Sequence, residues 1–184
     1  MVKSREEAKR LILAGEVLVG GHVIDKPASK VSGETVIYIK ERPKYVSRGG
    51  LKLEAALNDF GINAVGRVAI DIGSSTGGFT DCLLQRGASQ VYAFDVGTNQ
   101  LAWKIRNDKR VVVREKFNCR KITPSDVDEP PTIAVADVSF ISLTKILEPL
   151  VSVIASGFDM VVIVKPQLEF QRDEVGRGGV IKDR

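Results

Sequence analysis

Asp71-Ile-Gly-Ser-Ser-Thr-Gly-Gly78 decides how this chain is read. Arg67-Val-Ala-Ile-Asp-Ile in front of it is an apolar run that reads as a buried strand. Phe79-Thr-Asp-Cys-Leu-Leu-Gln-Arg86 behind it reads as a helix stopped by Gly87. A strand, a glycine-rich turn and a helix start form a nucleotide-binding corner, because glycines admit a ligand close to the backbone and the first helical amides are free to donate. Asp71, Gly73, Ser74, Ser75, Thr76, Gly77 and Gly78 are therefore candidate cofactor contacts. The apolar run Val91-Tyr-Ala-Phe94 ends at Asp95 and Val96, where a carboxylate can accept hydrogen bonds from ribose hydroxyls. Gly73 and Gly77-Gly78 give G-x-x-x-G-G, not the dinucleotide G-x-G-x-x-G, and no Lys-Ser/Thr pair follows as in a phosphate-binding P-loop. A nucleoside without a pyrophosphate, such as S-adenosylmethionine, fits that pattern better.

Working outward, strands and helices alternate. Strands are expected at Val68–Ile72, Val91–Asp95, Val111–Glu115, Ile133–Asp137 and Met160–Lys165. Helices are expected over Leu51–Phe60, from near Gly77, from near Thr98, and from Leu143 to Ser156. That order predicts a parallel sheet covered on both faces, an α/β Rossmann-like fold. Its ligand belongs beyond the strand C-termini, where Gly73, Asp95, Asp137 and Lys165 fall. Asn118, after the third of these strands, is placed either to frame an adenine or to make a turn.

The N-terminal part reads as a small α+β module. Ser4-Arg-Glu-Glu7 is a capping box, Ala8, Leu11 and Ile12 form the apolar stripe, and Gly15 ends the helix. Val17–Val19, Gly20-Gly21 and His22–Ile24 read as a hairpin, and Glu34–Ile39 as a further strand. We assign residues 1–42 to this module, 43–50 to a linker and 51–184 to the α/β domain.

Charge is segregated. Residues 1–52 hold eleven Lys/Arg against six Asp/Glu, while the remaining 132 hold sixteen against seventeen. A basic module beside a near-neutral domain points to a polyanion, most naturally nucleic acid, with Arg5, Lys9, Arg10, Lys26, Lys30 and Arg48 as candidate RNA contacts. Two cysteines without C-x-x-C spacing suit a reducing cytoplasm, and a single histidine, His22, leaves little for a Ser-His-Asp hydrolase or a His-ligated metal. No apolar run reaches the ~20 residues of a membrane span.

Four blocks together resemble one family. Ser47-Arg-Gly-Gly-Leu-Lys-Leu53, Asp71-Ile-Gly-Ser-Ser-Thr-Gly-Gly-Phe-Thr-Asp81, Asp137-Val-Ser-Phe-Ile-Ser142 and Val164-Lys-Pro-Gln-Leu-Glu169 are similar to the signatures of the TlyA/hemolysin A family. The segment Ser4–Gly21 resembles its alpha-L RNA-binding module. The resemblance implies an S-adenosylmethionine-dependent ribosomal RNA 2′-O-methyltransferase with an FtsJ-like catalytic domain and no metal. It implies catalytic roles for Lys52, Asp137 and Lys165 in a Lys-Asp-Lys-Glu tetrad, with Lys165 as base or ribose-activating group and Asp137 also touching the cofactor. It further implies a helix before Ser4, and strands past Gly176-Arg-Gly-Gly-Val-Ile-Lys-Asp-Arg184 that carry the glutamate. On this reading the 184 residues are an incomplete representative. Two rivals stay open: a non-catalytic RNA-binding protein that kept the fold, and the pore-forming activity in the hemolysin name. Singly, Lys165 also reads as a strand end, Asp137 as a turn residue and Lys52 as a surface lysine. Phe140 is read as either packing or stacking on a target base, and Phe79 and Trp103 as core.

Overall fold

A computed structural model describes residues 2, 4–40 and 43–170. The segment around Gly176–Arg184 quoted above lies outside the described residues. The chain divides into two compact units, residues 1–43 and 44–184.

In the first unit α1 spans Arg5–Leu13, and the Ser4 hydroxyl accepts from the Glu7 amide at 3.1 Å. That bond satisfies one of the amides left free at a helix start. Strands β1 (Val17–Val19) and β2 (His22–Ile24) form the expected hairpin, and β3 (Ile37–Ile39) pairs antiparallel on the other side of β1. The strand expected from Glu34 is thus only three residues long. Before Ile37 the pairing ends with a single bond from Gly20 N to Val36 O at 3.2 Å, because β1 gives way there to the Gly20-Gly21 turn.

The second unit opens with α2 (Gly49–Asp59), two residues earlier than expected. Tyr45, inside the segment read as linker, is buried in the core, and Gly50 passes so near its ring that a Cβ there would sit 2.3 Å from it. Strands β4 (Val68–Ile72), β5 (Gln90–Phe94), β6 (Val111–Arg114), β7 (Ile133–Ala136) and β8 (Asp159–Val162) form a parallel sheet in the order β6-β5-β4-β7-β8. Helices α3 (Gly78–Gln85), α4 (Trp103–Arg106), α5 (Thr144–Val151) and α6 (Pro166–Glu169) connect or follow them.

Both faces of the sheet are covered. Ala69, Val91, Ile133 and Val135 pack with Leu53 and Leu57 of α2 and Cys82 and Leu83 of α3. The alternate residues Ile70, Ile72, Tyr92 and Phe94 pack with Ile146 and Leu150 of α5. Each such aliphatic or aromatic side chain contributes roughly 1.5–3 kcal/mol by leaving water, and alternation along each strand distributes them to the two faces.

Two helices depart from expectation. α4 starts at Trp103 rather than near Thr98, because Gly97 N donates to Asp95, Asn99 N donates to Glu115, and Asn99 takes a left-handed φ of 56°. These bonds hold 97–100 in a turn. α5 stops at Val151 instead of Ser156: Val153 N turns to Leu150 O at 3.1 Å, three residues back, which closes the last turn.

Candidate functional site

β4 delivers its C-terminus into the glycine turn. Gly73 (φ 80°), Ser75 (φ 46°) and Gly77 (φ 94°) all take left-handed backbone, and α3 starts without a side-chain cap. A Cβ on Gly73 would meet the Asp137 carbonyl at 2.8 Å, so only glycine lets β4 and the chain leaving β7 come together here. Gly78 is needed for another reason: its Cβ would stand 2.2 Å from Ser47 Oγ, so it admits the start of α2.

Asp95, at the end of β5, ties the turn down. Its two carboxylate oxygens accept from Ser75 N and Gly97 N, each at 2.7 Å. Each oxygen retains a second lone-pair direction for another donor. A cavity of about 340 Å³ opens beside it, walled by Gly73, Asp95, Val96, Asn118, Val138 and Ile141. That size and mostly apolar wall suit a nucleoside. Asn118 is used locally: its side-chain oxygen accepts from Arg120 N at 3.1 Å and caps a short helical turn at Cys119–Lys121.

A second cavity of about 630 Å³ adjoins the first. Ser47, Arg48, Lys52, Ser74, Thr76 and Lys165 line it, and Gly73, Ser75, Asp137 and Ser139 line both. Across this shared wall the structure brings Lys52, Asp137 and Lys165 together. Lys165 Nζ lies 2.7 Å from Asp137 Oδ1, and it donates to Val138 O at 2.8 Å and Ser139 Oγ at 3.0 Å. One ion pair and two hydrogen bonds thus fix the amine in place. Lys52 Nζ approaches Asp137 Oδ2 at 3.9 Å from an exposed position, a longer and weaker pairing.

Asp71 does not join them. It is fully buried behind the turn, lines neither cavity, and accepts from Thr80 Oγ1 at 2.6 Å, while its Oδ1 has no partner. Burial, helped by the nearby charges of Asp95 and Asp137 and opposed by the Thr80 bonds, pushes its carboxyl up to about 7. A raised acid stabilises the fold while protonated, and that stability is lost as pH rises toward 7. Asp71→Asn should remove the loss. Between pH 5 and pH 8 the wild type should lose on the order of 2 kcal/mol more than the variant, as urea unfolding at both pH values would show. Parallel losses would mean that Asp71 is ionised throughout.

The segment after β7 is clamped at both ends. Lys165 binds its start, and Glu169 binds its finish by accepting from Ser142 Oγ at 2.5 Å and Leu143 N at 2.9 Å. Those donors, Ser142 foremost, hold the Glu169 carboxyl below the usual range. Between them Phe140 stands at φ 68° with 99% of its surface exposed, which rules out packing. Trp103, read as core, is 78% exposed, whereas Phe79 is buried as expected. Ser47, Ser139, Glu169 and Gln100, which lines the first cavity and accepts from Ser75 Oγ at 3.2 Å, are parts of the site that sequence reasoning did not single out. Three of them sat in the quoted blocks, but only the fold shows which segments they cross to reach. Arg5, Lys9, Arg10, Lys26 and Lys30 are exposed in the first unit; Arg48 belongs to the second cavity instead.

Comparison with known proteins agrees with this geometry. Residues 45–184 match the FtsJ-like methyltransferase family, and residues 1–37 match the S4 domain. The chain is 50% identical over its whole length to YqxC of Bacillus subtilis (strain 168), a protein named as a candidate rRNA methyltransferase, and covers 66% of it. It is 47% identical, again over its whole length, to the 16S/23S rRNA (cytidine-2′-O)-methyltransferase TlyA of Mycobacterium tuberculosis (strain H37Rv), and covers 69% of it. A solved structure of a candidate hemolysin from Streptococcus thermophilus superposes with a TM-score of 0.74 at 47% identity, over 99% of this chain and 67% of that one. The chain thus spans about two thirds of the length of these relatives.

Proposed function

Because the chain belongs to the FtsJ-like methyltransferase family and carries an S4 domain ahead of that region, we propose that it methylates ribose 2′-hydroxyls of ribosomal RNA with S-adenosylmethionine. The observation that carries the reading is the Lys52–Asp137–Lys165 cluster on the wall between two cavities. The first cavity fits the nucleoside half of the cofactor: Gly73 leaves room that a Cβ would fill, and Asp95 keeps acceptor capacity for ribose hydroxyls. When bound, the sulfonium supplies an electrophilic methyl group. The rest falls to this chain. Asp137 accepts from the substrate hydroxyl and turns an oxygen lone pair toward the shared wall. Lys165 fixes Asp137 through the ion pair, and Lys52 and Arg48 hold the ribose-phosphate in the second cavity. Alignment of this kind supplies much of the acceleration in an in-line displacement.

Transfer of radiolabelled methyl from S-adenosylmethionine to ribosomal RNA, using a chain extended to the length of its relatives, tests the proposal. Tight RNA binding without incorporation would favour the non-catalytic rival. Among the described residues no helix is long and apolar enough to cross a membrane. The exposed Phe140 adds a prediction. Holding a phenylalanine at φ 68° costs energy that a contact with substrate can justify. We assign it to stacking on the target base, worth roughly 1–3 kcal/mol. Phe140→Ala should raise the KM for RNA at least ~5-fold in steady-state assays; an unchanged KM would remove the base from that ledge.

A further inference from the structure

The near-neutral charge of the α/β unit conceals a local excess. Residues 104–121 hold eight Lys/Arg against only two Asp/Glu. Three of the eight are neutralised: Lys104 pairs with Asp81, Arg106 with Glu115, and Arg110 with Asp108. The other five, Lys109, Arg114, Lys116, Arg120 and Lys121, are exposed and form no salt bridge among the described residues. We propose that four of these, Arg114, Lys116, Arg120 and Lys121, form a second RNA-docking face on the catalytic unit, which takes the phosphodiester backbone beside the methyl-transfer cavity.

Their placement carries the inference. β6 is an edge strand of the sheet, and charges on an edge strand commonly serve only to block edge-to-edge pairing. That purpose covers Arg114 alone. Lys116, Arg120 and Lys121 follow the strand, on the side where the sheet presents its ligand edge. Lys116 N donates to Gly97 O at 3.2 Å, and Phe117 N donates to Asp95 O at 3.0 Å. These bonds stitch the segment to the turn that holds Asp95. The helical turn that follows puts Cys119 inward, where with Asn118 it walls the first cavity, and leaves Arg120 and Lys121 facing water. One short segment therefore has a cofactor side and a cationic side. Ala102 N bonds Thr76 O at 3.0 Å, which brings the exposed Trp103 to the glycine turn as well. An exposed aromatic ring and unpaired cations, each tied to a turn that frames the first cavity, suit bases and phosphates of a folded RNA better than an acidic protein.

This inference rests on the RNA substrate proposed above. Its test is a salt titration of binding to a labelled ribosomal RNA transcript, with the full chain and a variant carrying Arg114→Gln, Lys116→Asn, Arg120→Gln and Lys121→Gln. Asparagine is chosen at 116 because that residue has a φ of 55°, which asparagine tolerates. Each lost phosphate contact lowers the slope of log affinity against log salt by about 0.7–0.9. The variant should thus lose about 3–3.5 from the slope, and at least ~10-fold in affinity near physiological salt, while S-adenosylmethionine affinity measured by calorimetry holds. Equal slopes and affinities for the two proteins would overturn the docking face and leave the RNA substrate standing. Loss of cofactor affinity in the variant would overturn it as a separable surface. Failure of the unsubstituted chain to bind RNA would instead remove the substrate reading, and this face with it.

Discussion

Lys165→Ala is expected to lower methyl transfer by at least ~100-fold, the lower end of what a positioned proton acceptor contributes, because Asp137 loses the group that fixes it. Cofactor affinity should change little, because Lys165 lines the second cavity and not the first. The loss follows from what the amine holds. Without it Asp137 keeps only the longer pairing with Lys52 at 3.9 Å, and the Val138 carbonyl and Ser139 hydroxyl lose their donor. Lys165→Arg should fail as well. A planar guanidinium cannot reproduce the ion pair to Asp137 and the hydrogen bonds to Val138 O and Ser139 Oγ that a compact ammonium makes. Single-turnover rates, measured in a chain extended to the length of its relatives, decide the matter. Activity in the arginine variant within ten-fold of wild type would reduce Lys165 to a generic positive charge.

The other large effect is expected at Asp95. Asp95→Ala should weaken S-adenosylmethionine binding by about 1.5–3 kcal/mol, as for lost hydrogen bonds to a charged group. The carboxylate also holds Ser75 and Gly97, so part of that loss could come from a loosened turn. Asp95→Asn separates the two, because its carbonyl keeps one amide bond while its amide group gives up the second acceptor. Calorimetry should place the asparagine variant between wild type and alanine. Equal affinity in all three would take Asp95 out of the cofactor site.

How far these residues were legible in the sequence depended on whether the signal was local. The glycine turn, the strand ends and the hairpin at Gly20-Gly21 each lie within one stretch of chain, and periodicity and turn chemistry suffice to read them. The Lys52–Asp137–Lys165 cluster joins three distant stretches, and only the resemblance to a family brought them together before the fold did. Where a local pattern met a competing tertiary bond, the pattern lost. Asp71 has the sequence position of a cofactor contact, yet Thr80 and the surrounding core take it out of both cavities. Thr98 begins a plausible helix, but bonds from Gly97 to Asp95 and from Asn99 to Glu115 delay it to Trp103. Averaging hid the basic stretch 104–121, because acidic residues elsewhere in the same unit cancel it in any sum taken over the whole unit.

The two-ended clamp on the segment after β7 also bears on the order in which the protein is made. Lys165 and Glu169 come at the end of the described chain, and the ledge they fix lies some two dozen residues upstream. The glycine turn, Asp95 and the central strands can all be in place while the ledge that carries Asp137 and Phe140 still lacks both of its fastenings. During vectorial synthesis, cofactor recognition can therefore precede catalytic competence. A nascent chain that has not yet emerged through Glu169 would have the walls of the first cavity but not the fastenings that set the ledge carrying Asp137 and Phe140.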